Sequence, residues 1–322
     1  MNFSKLIWLI PLILLLICSF FVSASISPLN DPDNTGTETE HESLKYQSAL
    51  GEGGDLSEWH PQYQEKCYFN DRENISNKNI ETIESLLALL KKEPRIANYL
   101  LSIAQDLNTV ICIDERDDET RGYYDFRYNI VCIKEQLGLF EKLIILVHEL
   151  RHIVQFTRGF SYSLDYDIEE MIRMNFAIEA DVQAIVTLYA WRMKEIEMNE
   201  VWHALSGFTN YSDIAEEFEK EMQSSGDEMQ AARAAFVQWY YSGWRVDKYY
   251  KNSYSWYVDM LDETKILQKY QKLPDNFFSK LCMLPCGKNY GCHMTDEIEE
   301  KPRITLKKAG EYKNYSTLIP KK

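Results

Sequence analysis

The chain has 322 residues, 26% charged and 45% hydrophobic, an ordinary globular composition with room for one large domain or two small ones. Against 35 Lys and Arg stand 50 Asp and Glu, a formal charge of -15. That balance, with no basic patch in the sequence, excludes nucleic acid as a partner, because phosphate contacts need clustered Lys and Arg.

The amino-terminus reads as an export signal. Lys5 is the positive n-region, an uncharged apolar run extends from Leu6 to Val22, and Val22-Ser23-Ala24 offers small residues for cleavage after Ala24. The run approaches bilayer-spanning length, so an uncleaved anchor is the alternative, and the one membrane contact expected. Either way the remainder is secreted or periplasmic. Residues 25–61 are rich in Asn, Asp, Thr, Gly, Ser and Glu and read as a disordered mature amino-terminus. A main domain is expected over 62–273, followed by a Cys-containing tail over 274–322.

Export governs the cysteines. Outside the signal, Cys67, Cys112, Cys132, Cys282, Cys286 and Cys292 form an even set, which an oxidising compartment favours as three disulfides. Cys112 and Cys132 lie in two strand-like runs, so a bridge between them is the expected pairing. The cluster Cys282, Cys286, Cys292 and His293 has an alternative reading as a structural zinc site.

Helical spacing begins at Ile80, Ile83, Leu86, Leu87 and Leu90, and Pro94 separates that helix from a second over 96–107. Two β-rich runs follow, Thr109 to Ile113 and Tyr123 to Ile133, with turn chemistry between them. A long apolar helix is expected from Leu139 to Phe156, and another from Asp167 to Glu195. Further helical patterns cover 212–222, 227–241 and 246–261. Strands are few and precede the long helices, so the class is α+β, predominantly helical.

His148-Glu149-Leu150-Arg151-His152 carries the chemistry. Four residues on a helix place both imidazoles on one face, one turn apart, a separation at which two neutral nitrogens ligate one Zn²⁺. Glu149 can reach a metal-activated water without being a ligand and move its proton as general base and acid.

The strand-then-helix order with this run resembles the zincin metallopeptidases, over about residues 123–190. The resemblance implies a zincin-like core with a short sheet before the histidine helix, one zinc ion, and peptide or protein substrates. It also implies that Tyr124 to Ile130 lines the cleft and pairs with the substrate backbone, as physics expects of an exposed edge strand. Zincins completed by a third histidine would need His at 158, where Arg158 stands, and Gln155 occupies their usual Gly position. Ile178-Glu179-Ala180-Asp181 resembles the second active-site helix of glutamate-ligand zincins and implies Glu179 as third ligand, with Asp181, Glu169 and Glu170 as alternative ligands or supporting carboxylates. Many such enzymes carry Asp where this chain has Gln183. Candidate oxyanion donors are Tyr249, Tyr250, Tyr254, His203 and Arg173, and the aromatic stretch 238–257 reads mainly as helical core. The function expected is an exported zinc peptidase. The alternatives are a non-catalytic zinc-binding module and a zinc amidase acting on cell-wall cross-links.

Overall fold

Alternation along Val110–Asp114 decides how the sheet is buried. Ile111 and Ile113 join the main core with Val131 and Ile133, whereas Val110 and Cys112 face the opposite way, into a smaller cluster with Cys67, Phe69, Ile130 and Cys132. The computed structural model describes residues 66–291 apart from 71–72, 117–119, 127, 266–268 and 285. The expected signal and disordered stretches, Cys292, His293 and the tail beyond 291 lie outside the described residues.

Four strands form one sheet in the order β1-β2-β4-β3: β1 (Cys67–Tyr68), β2 (Val110–Asp114), β3 (Gly122–Asp125) and β4 (Ile130–Lys134). β2 and β4 are parallel, and the two outer pairings are antiparallel. The run 123–133 is therefore a hairpin, not a single strand. Asn129 makes the turn with φ 53°, and its side chain is fixed by Thr109 and the Leu107 carbonyl. β3 lies at the sheet's edge, and the strand expected to line the cleft is confined to 122–125.

Nine helices pack around this sheet among the described residues: α1 (Lys78–Leu90), α2 (Pro94–Asp106), α3 (Leu139–Thr157), α4 (Ile168–Glu195), α5 (Asn199–Ser206), α6 (Ser212–Ser225), α7 (Glu228–Trp239), α8 (Gly243–Thr264) and α9 (Phe277–Leu281). The protein is thus α+β and predominantly helical. None of these helices is long and apolar enough to cross a membrane. Asp167 caps α4 by accepting from the Glu170 N–H at 2.9 Å, and Gly159, at φ 84°, stops α3. α3 lies against β3 and β4 on one side and α4 on another. α4 is buried almost all round, with α5, α7 and α8 also packed on it. The expected aromatic core is largely present, with Trp239, Tyr240 and Tyr257 buried.

The expected Cys112–Cys132 bridge is absent. The disulfide joins Cys67 to Cys112 across β1 and β2, and Cys132, Cys282 and Cys286 are free thiols. Three bridges are accordingly not formed among the described residues. Cys112 sits in register with both Cys67 and Cys132, so the sequence offered it two flanking partners.

Candidate metal centre

The stripe Leu143, Val147, Leu150 and Val154 seats α3 in the core and leaves its histidine face towards a cleft. The His148 and His152 Nε2 atoms lie 3.1 Å apart. From α4, Glu179 places Oε2 3.8 Å from His148 Nε2 and Oε1 3.7 Å from His152 Nε2. These three residues offer donor atoms within 4.8 Å of one another.

This donor set fits a tetrahedral zinc ion. Bonds of about 2.1 Å place ligand atoms roughly 3.4 Å apart, close to the three separations found. Glu179 Oε2 is buried with no hydrogen-bond partner, an acceptor that a cation would satisfy. Burial, reinforced by neighbouring His152, holds the His148 imidazole well below its ordinary pKa and hence neutral, the form a metal requires.

Both histidines are held from behind. Gln155 Oε1 lies 2.9 Å from His152 Nδ1, while Gln155 Nε2 donates to Asp181 Oδ2 at 2.7 Å and to the Ile178 carbonyl at 2.9 Å. The Gln183 amide lies 3.1 Å from His148 Nδ1. The atom facing the ring is the amide nitrogen; turned so that its oxygen points inward, the amide would accept Nδ1–H and keep His148 Nε2 free. Gln155 and Gln183 entered the sequence reading only as departures from family patterns. Their distances of three residues from His152 and four from Glu179 put both on the right helix faces, the one signal that could have marked them.

Glu149 is 4% exposed. Burial first, and the charge of Glu179 second, push its carboxyl well above the ordinary range, against a hydrogen bond from the Tyr124 backbone. Burial also raises Glu179, partly offset by His152 and Tyr249. The Tyr249 hydroxyl faces Glu179 and lies 3.3 Å from the Tyr211 hydroxyl. Burial, then Glu179, drives its pKa far upward, so it stays a protonated donor.

The other candidates lie elsewhere. Asp181 is fully buried in an ion pair with Arg151, Nε to Oδ2 at 2.8 Å, and also accepts from the Tyr290 hydroxyl. It supports the site through Gln155, and with its oxygens engaged it is not a ligand. Glu170 binds Arg173 and the Leu273 N–H near the start of α4, and Glu169 is exposed there. Arg173 also lies over Phe278. His203 is exposed on α5, and Tyr250 stacks on Tyr254 outside the cleft. Helix geometry explains these corrections: residues two to three turns from Glu179, or on another helix face, cannot converge on the same point.

Two cavities meet at Gly122, His148, Glu149 and Tyr249, one of about 330 Å³ and one of about 540 Å³. The smaller runs towards the carboxy-terminal half of α3 and is lined by Tyr124, Phe126, Phe156, Phe160 and Tyr162. Gly122 makes the meeting point possible. A Cβ there would stand 2.3 Å from Ile145 Cγ2 and 3.3 Å from Glu149 Oε1, so only glycine lets β3 lie this close to α3.

In comparison with known families, residues 61–292 match the family described as "Putative metallopeptidase family (DUF6782)". No curated protein and no solved structure gives a significant match.

Proposed function

The chain belongs to this metallopeptidase family, and from that premise we propose that it is an exported zinc peptidase of the glutamate-completed zincin type. The convergence of His148, His152 and Glu179 beside a buried Glu149 carries the reading. The amino-terminal apolar run supports export.

His148 and His152 would hold zinc through Nε2, and Glu179 through its carboxylate, with Gln155 and Gln183 fixing the two rings. Zinc bound there supplies Lewis acidity, acidifying water and polarising the scissile carbonyl. Glu149 takes the proton of the attacking water and delivers it to the leaving amine nitrogen. Buried beside the three ligands and held by the Tyr124 backbone, its carboxylate is placed for both halves of that transfer. Tyr249, a phenol that stays protonated, donates to the oxyanion as it develops. The peptide lies along the outer edge of β3, and the aromatic cavity takes an apolar side chain.

The test is Glu149→Gln. The variant is expected to keep one zinc per chain and lose about 10²–10⁴-fold in turnover of a peptide mixture. Wild-type turnover in this variant, or loss of its zinc, would sink the assignment of Glu149 as base.

A further inference from the structure

The larger cavity extends from His148 and Glu149 towards the amino-terminal half of α3, away from the aromatic pocket. Its lining brings together residues that no local motif connects: Arg121 just before β3, Phe208 and Asn210 after α5, and Trp244, Lys248 and Asn252 on α8. Glu149 is the one carboxylate among them.

The charge there runs against the rest of the chain. With a formal charge of -15, most cations have acidic neighbours to choose from, and buried Arg245 on the same helix does pair with Asp213 at 2.6 Å. Neither Arg121 nor Lys248 has an ion-pair partner among the described residues, and two cations against one carboxylate leave the cavity net positive. Both are placed by aromatic rings instead. The Arg121 guanidinium lies 4.3 Å from the Phe208 ring centroid, and the Lys248 ammonium 5.0 Å from that of Trp244. A stacked guanidinium keeps its N–H edge free, which is the geometry that grips a carboxylate with two parallel hydrogen bonds. The Lys248 charge also reaches the centre, where it acts on Glu179.

We propose that this half of the cleft is a carboxylate subsite: the peptidase selects peptides that place an acidic side chain, or a free carboxy-terminal carboxylate, against Arg121 and Lys248. Both sources present the same group to the same cations. The inference rests on the peptidase reading and adds to it the substrate class, apolar on one side of the cut bond and anionic on the other.

Binding and cleavage together test it. Dansylated heptapeptides carrying one Glu, Gln or Lys at each position in turn, with free or amidated carboxy-termini, are titrated by fluorescence anisotropy against the zinc-loaded Glu149→Gln chain. At one position, or at the free terminus, a carboxylate is expected to tighten binding about tenfold, with the gain shrinking as salt rises. A gain kept in the amidated series assigns an acidic side chain, and one confined to free acids assigns the terminal carboxylate. In Arg121→Glu/Lys248→Glu the preference should turn towards Lys peptides, with zinc content and melting temperature unchanged. Equal binding of Glu, Gln and Lys peptides in both series would overturn the subsite and leave the peptidase reading intact. Carboxylate-selective binding without cleavage by the zinc-loaded wild type would overturn the peptidase reading and leave the subsite standing.

Discussion

Gln155 grips His152 from behind, its Oε1 2.9 Å from Nδ1, while its amide nitrogen is itself held by Asp181 at 2.7 Å. The histidine is thereby fixed in the tautomer that frees Nε2, and its ring cannot swing out of the cleft. Gln155→Leu keeps the helix and removes the grip. Its zinc affinity is expected to fall about 10–100-fold in a chelator competition, while far-ultraviolet dichroism stays that of the wild type. An unchanged affinity would mean that the packing of α3 alone orients the ring.

Gly122→Ala addresses the contact between strand and helix. The added methyl meets Ile145 Cγ2 at 2.3 Å and the Cys132 carbonyl oxygen at 2.9 Å, the latter a backbone atom that cannot rotate away. A cost of about 1–3 kcal/mol in a denaturant titration is expected, as for other overpacked sites. Peptide turnover should fall further than stability explains, because the displaced strand carries the Tyr124 backbone group that holds Glu149. Wild-type stability in the variant would show that β3 is not pinned at this point.

Acid tests a different region. Burial on its own would raise the Asp213 carboxyl, but hydrogen bonds from Arg245 and Gln238 outweigh it and hold the pKa below the ordinary 3.8. A depressed carboxyl stabilises the fold above its unfolded pKa, and that contribution is lost as pH falls through the lower folded value. Asp213→Asn should therefore be less stable than wild type at pH 6, with the gap closing as pH is lowered past 3.8. Urea midpoints across that range would check it; a gap independent of pH would assign the loss to packing.

Much of the centre was legible because helix periodicity is strict. His148 and His152 had to share a face, and their wider surroundings, from Leu143 to Val154, announced the buried stripe that holds them. Glu179 was singled out only by the likeness of Ile178-Glu179-Ala180-Asp181 to a second active-site helix, since the periodicity of α4 does not separate it from its acidic neighbours. The competition from Asp181, two residues on, could not be judged from sequence, since its counter-charge Arg151 lies 30 positions away on another helix. Strand pairing was less legible. Tyr123 to Ile133 holds three polar residues, Asp125, Arg127 and Asn129, at alternate positions among apolar and aromatic ones, which reads as one half-buried strand, and the Asn129 turn that folds it back was the missed signal. Cys112 had a cysteine in register on both sides, a choice that depends on sheet order and not on the chain's own spacing. Arg121 and Lys248 meet only because α8 folds back over the cleft, which no short-range pattern encodes.

The carboxy-terminal stretch has a consequence in time. Arg151 donates to the Leu281 carbonyl at 3.0 Å, Arg158 reaches the same carbonyl and that of Lys280, and Tyr290 donates to Asp181. The buried pair that anchors Gln155 is therefore finished only by residues far downstream of the motif it serves. A chain synthesised from its amino end exposes His148 to His152 early and completes their support among the last described residues. A released fragment ending at Asn276 is accordingly expected to take up zinc more weakly than the whole chain, and equal uptake would refute that order. A centre wired this way gains its full support only once nearly all of the described residues have been made.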